Sequence, residues 1–291
     1  MQALIDADIL VYEVGFAAQY KDDDGEPQVR GWDWVEEALL QRIKEIESEV
    51  WADEPHRFFL TTSEYAYDEY CKTERGAREA GETTYKENFR ASVATSKPYK
   101  GSRKQEKPFH YRNIICHFIH QLGAEVVQGV EADDVISMEL VKAAKEGREV
   151  VCCSRDKDLA ITPGLHYRWS CGKQLAWGPE LVTKLGYIKM EGNKLRGCGL
   201  SFFYSQMITG DGADNIPGLP RYGPKKAYNA LVDCKSEEEL KKVTLDLYKE
   251  VIGDGWEEYA REQSKLLYMI QELDEDGEPV HYDVLGGYDE V

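Results

Sequence analysis

The chain has 291 residues, a net charge of −18, 42% hydrophobic residues and a mean hydropathy of −0.56. This composition is that of a globular protein with a substantial buried core, and it excludes a disordered chain and a bilayer-spanning one. The acidic start MQALIDADIL has no basic region of the signal-peptide type, so we expect no secretion and no membrane partner.

The charges are unevenly spread, so the net charge alone does not exclude a polyanionic partner. The segment 272–291 has eight acidic residues and no Lys or Arg, whereas 97–112 has six basic residues and one glutamate. The seven cysteines form no C-x-x-C pair, and we expect reduced thiols that fill core space.

The first part of the chain predicts alternating strands and helices. ALIDADILVY is typical of a strand with acids towards its carboxyl end, and apolar spacing over 32–50 predicts a helix. The following elements are the strand RFFLTT, the helix YRNIICHFIHQLG, the strand AEVVQ, the helix EADDVISMELVKAAKEG and the strand REVVCCS. This alternation favours an α/β fold whose central sheet is mostly parallel and flanked by helices. The polar stretch 64–107 interrupts it and is interpreted as a helical or loop excursion.

The second part of the chain predicts mainly helices from Pro179 onward, including FFYSQMIT and amphipathic segments at 237–250 and 256–271. We therefore predict an α/β core at 1–178 that includes the excursion at 64–107, a helical module at 179–271, and an acidic tail at 272–291. A monomer is the default expectation.

Acidic residues recur where predicted strands end and in the loops that follow them. Because the carboxyl ends of parallel strands open on one edge of a sheet, we expect these groups to converge. Carboxylates at close range repel one another unless a cation compensates them, and oxygen ligands without His or Cys suit Mg²⁺. The groups are Asp6 with Asp8, Glu131 with Asp133 and Asp134, Asp156 with Asp158, and Asp211 with Asp214.

Five motifs together resemble the 5′-nuclease (flap endonuclease) family, especially its bacteriophage-type 5′→3′ exonucleases. They are LIDAD at the N-terminus, YKGSR at 99–103, EADD at 131–134, SRDKDL at 154–159, and GDGADNIPG at 210–218 followed by GPKKA at 223–227. They extend over residues 6 to 231, and the last motif is the most specific. The resemblance implies a PIN-like α/β core with a helical arch, and it implies cleavage of DNA near 5′ ends in replication, recombination or repair.

The resemblance also implies two bound Mg²⁺ or Mn²⁺ ions. Their ligands would be Asp6, Glu131, Asp133, Asp156 and Asp158, with Asp134, Asp211 and Asp214 supporting the second ion. The segment 210–231 would form a helix–hairpin–helix-like module on duplex DNA, and an optional K⁺ ion would bind its loop. Residues expected to contact DNA there are Gly218, Arg221, Gly223, Lys225 and Lys226.

The arch carries the remaining implied roles. Lys100 and Arg103 would neutralise the scissile phosphate, and Tyr99 would stack on an unpaired terminal base. The basic residues that would guide the strand are Arg90, Lys97, Lys104 and Lys107. Duplex and flapped DNA are the expected partners, together with RNA–DNA hybrids and a replication protein on the acidic tail. The expected location is the cytoplasm, or the host cytoplasm if the chain is viral.

The chain departs from the family pattern at two places. Thr62 or Ser63 occupies the position where the family has a further aspartate after its second strand. Arg221 and Tyr222 replace a small and an aliphatic residue in the hairpin loop, which bears on the K⁺ ion.

Three alternatives stay open. A haloacid-dehalogenase-type phosphatase also begins with a strand-borne D-x-D, here Asp6 and Asp8. A PIN-type ribonuclease shares the acidic core but prefers RNA. A DNA-binding member of the fold that has lost its chemistry is the third.

Overall fold

The computed structural model describes residues 1–61, 63–80, 86–102 and 106–288. Within these residues no helix is long and apolar enough to cross a membrane. In chain order the elements are β1 Gln2–Asp6, α1 Ala7–Ala17, β2 Gln19–Lys21, β3 Pro27–Val29, α2 Trp32–Glu49, β4 Glu54–Thr61, α3 Glu64–Tyr70, α4 Glu74–Ala80, α5 Phe89–Val93, α6 Tyr111–His120, β5 Glu125–Val127, α7 Ala132–Glu146, β6 Val150–Cys153, a 3₁₀ helix Asp158–Ile161, β7 Gly164–Arg168, β8 Trp177–Val182, β9 Tyr187–Glu191, β10 Lys194–Cys198, α8 Gly199–Thr209, α9 Pro224–Leu231, α10 Glu237–Ile252 and α11 Trp256–Leu267.

The chain divides into two compact units. The first contains 1–87, 105–155 and 165–180, and the second contains 88–104, 156–164 and 181–291. The segments 88–104 and 156–164, which the sequence analysis assigned to the core, thus group with the C-terminal residues. Each unit has its own apolar cluster, and we describe each by itself.

The sheet of the first unit has the strand order β5-β4-β1-β6-β7-β8 among the described residues. The pairs β4–β5, β1–β4, β1–β6 and β6–β7 are all parallel. Strands β1 and β6 are buried along nearly their whole length because helices cover parallel sheets on both faces. The predicted α/β fold with a mostly parallel sheet is confirmed.

One predicted strand is shorter than its apolar run. ALIDADILVY contains both β1 and the start of α1, because the Asp6 side chain accepts the Asp8 N–H at 3.1 Å and so caps a helix. Asp8 therefore lies in the first turn of α1, and its placement on the strand was wrong.

The second unit is built on α8, which is buried along nearly its whole length. Phe203, Met207 and Ile208 of α8 are fully buried in the apolar cluster of this unit. Helices α9, α10 and α11 add Leu231, Leu245 and other residues to the same cluster. The prediction that the chain is mainly helical from Pro179 onward missed the end of β8 and the antiparallel hairpin of β9 and β10.

Candidate functional site

In the first unit, Asp6 and Ser154 stand at the carboxyl ends of the neighbouring strands β1 and β6. The Ser154 hydroxyl donates to Asp6 Oδ2 at 2.7 Å, and Asp6 is only 2% exposed. Asp6 is therefore held both by the helix cap and by a hydroxyl, while the predicted convergence of the acidic groups stays a prediction.

Thr61, at the end of β4, links two of the acidic groups. Its N–H donates to Asp8 Oδ2 at 3.0 Å, and its hydroxyl oxygen accepts the N–H of Ala132 at 3.0 Å. The sequence analysis did not single out Thr61. The sequence feature that could have indicated Thr61 is its position near the carboxyl end of the predicted strand RFFLTT. The next residue, Thr62, lies outside the described residues. Ser63 instead caps α3 by accepting the Ala66 N–H at 3.3 Å.

The start of α7 carries the EADD motif. Glu131 occupies the N-cap position, and its N–H donates to Asp134 Oδ2 at 2.9 Å. Asp134 is fully buried, so at least one of its oxygens has a structural task. Asp133 is half-buried in the first turn, where the helix dipole favours a negative charge.

The second unit gathers Asp156, Asp158 and Asp211 around one lysine. Lys157 Nζ donates to Asp158 Oδ1 at 2.7 Å and also contacts Asp211 Oδ2. The Asp158 N–H donates to Asp156 Oδ1 at 2.8 Å, so the SRDKDL turn folds back on itself. The side chains of Asp158 and Asp211 are 14% and 6% exposed. The lysine ammonium thus compensates two nearly buried carboxylates.

Electrostatics at this cluster reflect burial and mutual repulsion. Burial, followed by the Asp156 charge, raises the pKa of Asp158 to about 7. Burial also raises the pKa of Asp156, with the Asp214 charge acting in the same direction. Burial would raise the pKa of Asp211 as well, but the adjacent Lys157 outweighs it and the net shift is downward. The cluster therefore contains more carboxyl groups than Lys157 alone can compensate when all of them are ionised.

Gln206 of α8 is a site residue that the sequence analysis missed. Its Nε2 donates to Asp158 Oδ1 at 2.6 Å, while its Oε1 is buried without a hydrogen-bond partner among the residues the structure describes. A buried acceptor of this kind costs free energy unless a donor reaches it. Gln206 reads as an ordinary polar residue in FFYSQMIT, so only the fold reveals its position.

Asp214 joins the loop after α8 to the segment 88–104. Its side chain accepts the Tyr99 hydroxyl at 3.0 Å, and its carbonyl accepts the Lys100 N–H at 2.9 Å. Asn215 adds a bond to the Pro98 carbonyl at 2.9 Å. Lys100 adopts a left-handed φ of +53°. Tyr99 and Lys100 are thereby fixed on the loop that carries Asp211 and Asp214.

The basic residues around the start of α9 line an open groove of about 570 Å³. Gly223 is the N-cap of α9, and Pro224 is its first residue. Lys226 Nζ donates to the Arg221 carbonyl at 3.1 Å and lies 4.7 Å from the Tyr222 ring centre. Arg221, Lys225 and Lys226 therefore share one surface, and their contacts with DNA stay a prediction.

The donor set is compatible with a hard divalent cation, although the described residues contain no group of three or more ligands already arranged as a metal site. The side chains at the acidic cluster of the second unit offer oxygen ligands and no His or Cys. The raised pKa values and the buried Gln206 acceptor are what an incompletely compensated cation site would show.

No family model matches the chain. The sequence is 28% identical to a 5′-3′ exonuclease of Buchnera aphidicola (subsp. Schizaphis graminum) over 148 residues, which are 49% of this chain and 47% of that protein. It is 28% identical to DNA polymerase I of Bacillus subtilis over 210 residues, which are 68% of this chain and 21% of the polymerase. Over these stretches the chain is similar to a 5′-3′ exonuclease and to the matched part of a DNA polymerase I. In both comparisons the match covers less than half of the relative's length.

Solved structures of a phage enzyme also match this chain. The bacteriophage T5 5′-exonuclease with bound zinc ions has a TM-score of 0.47 and 14% identity, covering 92% of this chain and 94% of that one. The T5 flap endonuclease in a complex with DNA and metal ions has a TM-score of 0.42 and 13% identity, covering 92% and 99%.

Two of the DNA contacts predicted for this chain are wrong. Arg90 is 1% exposed, and its guanidinium donates to the carbonyls of Leu266 and Tyr268 at 3.2 and 3.3 Å, so it ties α5 to the end of α11. Gly218 is buried, and its N–H donates to Gln263 Oε1 at 3.1 Å, so no phosphate can use it. Its φ of +61° and an added Cβ only 2.2 Å from the Gly210 nitrogen explain the glycine.

Other predicted residues keep their status as predictions. Lys97 is exposed, Gly223 caps α9, and Lys107 lies 4.5 Å from the Tyr111 ring centre. Arg103 and Lys104 lie outside the described residues.

Proposed function

We propose that the chain is a metal-dependent 5′→3′ deoxyribonuclease that hydrolyses phosphodiester bonds near the 5′ ends of duplex and flapped DNA. The observation that carries the proposal is a cluster in which the Lys157 ammonium contacts the carboxylates of Asp158 and Asp211. On the same loop as Asp211, Asp214 accepts the Tyr99 hydroxyl and the Lys100 N–H. Acidic oxygens and a tethered basic segment on one loop are the elements that phosphodiester cleavage needs.

The ligands of Mg²⁺ or Mn²⁺ in the second unit would be Asp156, Asp158 and Asp211, with Asp214 as support. Within the first unit taken by itself, Asp6, Glu131 and Asp133 would be metal ligands, and Asp134 has a capping role. When bound, such ions polarise a phosphoryl oxygen and lower the pKa of a bound water. The K⁺ ion proposed for the loop would compete with the Lys226 ammonium, which already contacts the Arg221 carbonyl.

The chain's own residues would bind and orient the substrate. Lys100 donates its backbone N–H to the Asp214 carbonyl, its ammonium would neutralise a phosphate, and Arg103 would act with it. The Tyr99 ring can stack on a base while its hydroxyl stays on Asp214. Arg221, Lys225 and Lys226 would hold duplex phosphates through their charges.

The biological process, location and partners are part of the same proposal. The enzyme would act in phage-type DNA replication, recombination or repair, in the cytoplasm or host cytoplasm. It would act as a monomer, accept RNA–DNA hybrids, and use the acidic tail to contact a replication protein. A haloacid-dehalogenase-type phosphatase is the weaker candidate. It would need both acids of D-x-D on the strand, whereas Asp8 lies in α1 and its Oδ2 accepts the Thr61 N–H.

The test is a cleavage assay on 5′-labelled blunt and flapped duplexes with Mg²⁺, Mn²⁺ or EDTA. The variant Asp156→Asn keeps the size of the side chain and removes its charge. The matched control is Asp233→Asn, an exposed aspartate beyond α9. We expect metal-dependent release of short labelled products by the wild type and the control, and none by Asp156→Asn.

Three other outcomes would contradict the proposal. DNA binding without cleavage in either metal would identify a non-catalytic member of the fold. Hydrolysis of p-nitrophenyl phosphate without DNA cleavage would favour the phosphatase. A strong preference for single-stranded RNA would favour the ribonuclease.

A further inference from the structure

The β9–β10 hairpin is an element whose task neither the motifs nor the candidate site explains. Its strands pair from Glu191↔Lys194 at the tip to Tyr187↔Cys198 at the base. Gly192 has φ +60° at the first position of the two-residue turn, which suits a type II′ turn. The tip is therefore a tight and well-defined turn.

The base of the hairpin is clamped to α8. The N–H groups of Leu200 and Ser201 donate to the carbonyls of Lys184 and Leu185, each at 2.9 Å. An added Cβ on Gly199 would lie 2.7 Å from the Thr183 carbonyl oxygen, so only glycine allows this approach. The hairpin is thus a fixed part of the second unit.

The two faces of the hairpin differ in chemistry. Ile188 and Leu195 pack against the apolar cluster of the second unit. Because side chains alternate between faces along a strand, the opposite face carries Lys189, Lys194 and Arg196, with Glu191 as its acidic member. A hairpin needs no such row of cations for folding, and the chain as a whole carries a net charge of −18.

The hairpin borders two adjoining clefts of the same unit. Its tip lines the groove of about 570 Å³ that also contains Arg221, Lys225 and Lys226. Its strand β10 lines a second cleft of about 260 Å³, which Lys157, Gln206 and Asp211 also line. Asn193 and Pro224 line both clefts, so the hairpin tip stands where the basic groove meets the acidic cluster.

The cations of β10, which line that second cleft, are at most weakly paired within the described residues. Lys194 has no ion-pair partner among the residues the structure describes, and Arg196 Nε lies 4.0 Å from Glu191 Oε2. Lys189, by contrast, is paired with Glu191 at 2.9 Å and lines neither cleft. Lys157 is already bound to Asp158 and Asp211.

We propose that the β9–β10 hairpin is a DNA-binding wing, in which Lys194 and Arg196 contact phosphates of the strand that runs from the basic groove towards Asp211. The ligand class is a polynucleotide phosphodiester backbone. Fixed cations along a continuous cleft suit repeated phosphates, and Arg and Lys are the side chains that contact them most often. This inference rests on the proposed function, which it deepens by one contact surface.

The test measures the binding of a fluorescent duplex with a 5′ single-stranded tail, in EDTA, over a range of salt concentrations. For Lys194→Ala/Arg196→Ala we expect about tenfold weaker binding and a salt slope that is smaller by about one to two. The control Lys242→Ala/Lys249→Ala removes the same charge from exposed positions of α10 and should leave the slope unchanged. Circular dichroism checks that each variant is folded.

Two further variants keep the result decisive. The reversal Lys194→Glu/Arg196→Glu should weaken binding further, whereas Lys194→Arg/Arg196→Lys should retain it because the charges remain. Unchanged affinity and slope in the alanine and glutamate variants would overturn the wing, as would an equal loss in the α10 control.

Parallel cleavage assays in Mg²⁺ separate this proposal from the function itself. A wild type that cleaves DNA while the hairpin variants bind normally would refute the wing alone. A wild type that neither binds nor cleaves DNA would refute the proposed function and the wing with it.

Discussion

Replacing Lys157 by methionine should destabilise the protein most when no divalent ion is present. Lys157 Nζ lies 2.7 Å from Asp158 Oδ1 and also contacts Asp211 Oδ2, and these carboxylate side chains are 14% and 6% exposed. Removing one partner of a buried ion pair costs about 3–5 kcal/mol. Because 34% of the lysine side chain remains exposed, water screens part of the interaction, and we expect about 2–3 kcal/mol.

The assay is thermal and urea unfolding of Lys157→Met and wild type, each with EDTA and with Mg²⁺. A loss of 2–3 kcal/mol corresponds to a fall in Tm of roughly 3–5 °C for a chain of this size. A divalent ion can take over the compensating charge, so Mg²⁺ should bind the variant more tightly. A tenfold gain in affinity would recover about 1.4 kcal/mol of the deficit.

The matched control is Lys184→Met. Lys184 Nζ lies 2.7 Å from Glu237 Oε2, but its side chain is 74% exposed, so this pair should be worth about 0–1 kcal/mol in both buffers. A deficit for Lys157→Met that is the same in EDTA and in Mg²⁺, or no larger than the control's, would refute our account of the acidic cluster.

Three further predictions concern the segment 88–104. Tyr99→Phe removes the hydroxyl bond to Asp214, and we expect several-fold slower DNA cleavage with little change in Tm; equal rates would show that the bond does not position the segment. Glu262 accepts N–H and hydroxyl groups of Thr95 and Ser96, and these bonds outweigh burial and lower its pKa below 4.5. Its stabilising contribution is therefore present above about pH 4.5 and is lost as the pH falls through the lower folded value, so unfolding curves of Glu262→Gln should depend less on pH in that window. Arg90→Met should cost about 2–3 kcal/mol, because the carbonyls it serves lose their donors, yet leave the DNA affinity of the folded protein unchanged; a selective loss of affinity would restore Arg90 as a DNA contact.

The periodic elements of the fold could be predicted from the sequence because each depends on short-range pattern. The helix predicted over 32–50 is observed at Trp32–Glu49, and REVVCCS contains the buried strand Val150–Cys153. The acids of LIDAD and EADD were found for the same reason, since strand ends and helix starts leave a local signature.

The hairpin was missed although its sequence carries a signal. YIKMEGNKLRG alternates apolar and charged residues around the turn Gly192–Asn193, which is typical of two short strands. The hairpin is short, and the long apolar helix α8 that follows it gives the stronger sequence signal. The start of α1 was missed because the Asp6 cap lies inside an apolar run that reads as one continuous strand.

The sequence by itself determined which residue types are present and in what local order: acids at strand ends, basic residues before and after them, and glycines at tight turns. Only the tertiary structure decided what each side chain does, because a role depends on which distant groups surround it. Arg90 reads as a surface cation and is buried on carbonyls 176 and 178 residues away, whereas Gln206 reads as ordinary and lies on Asp158. Such pairings follow from packing across the whole core, which no local pattern encodes.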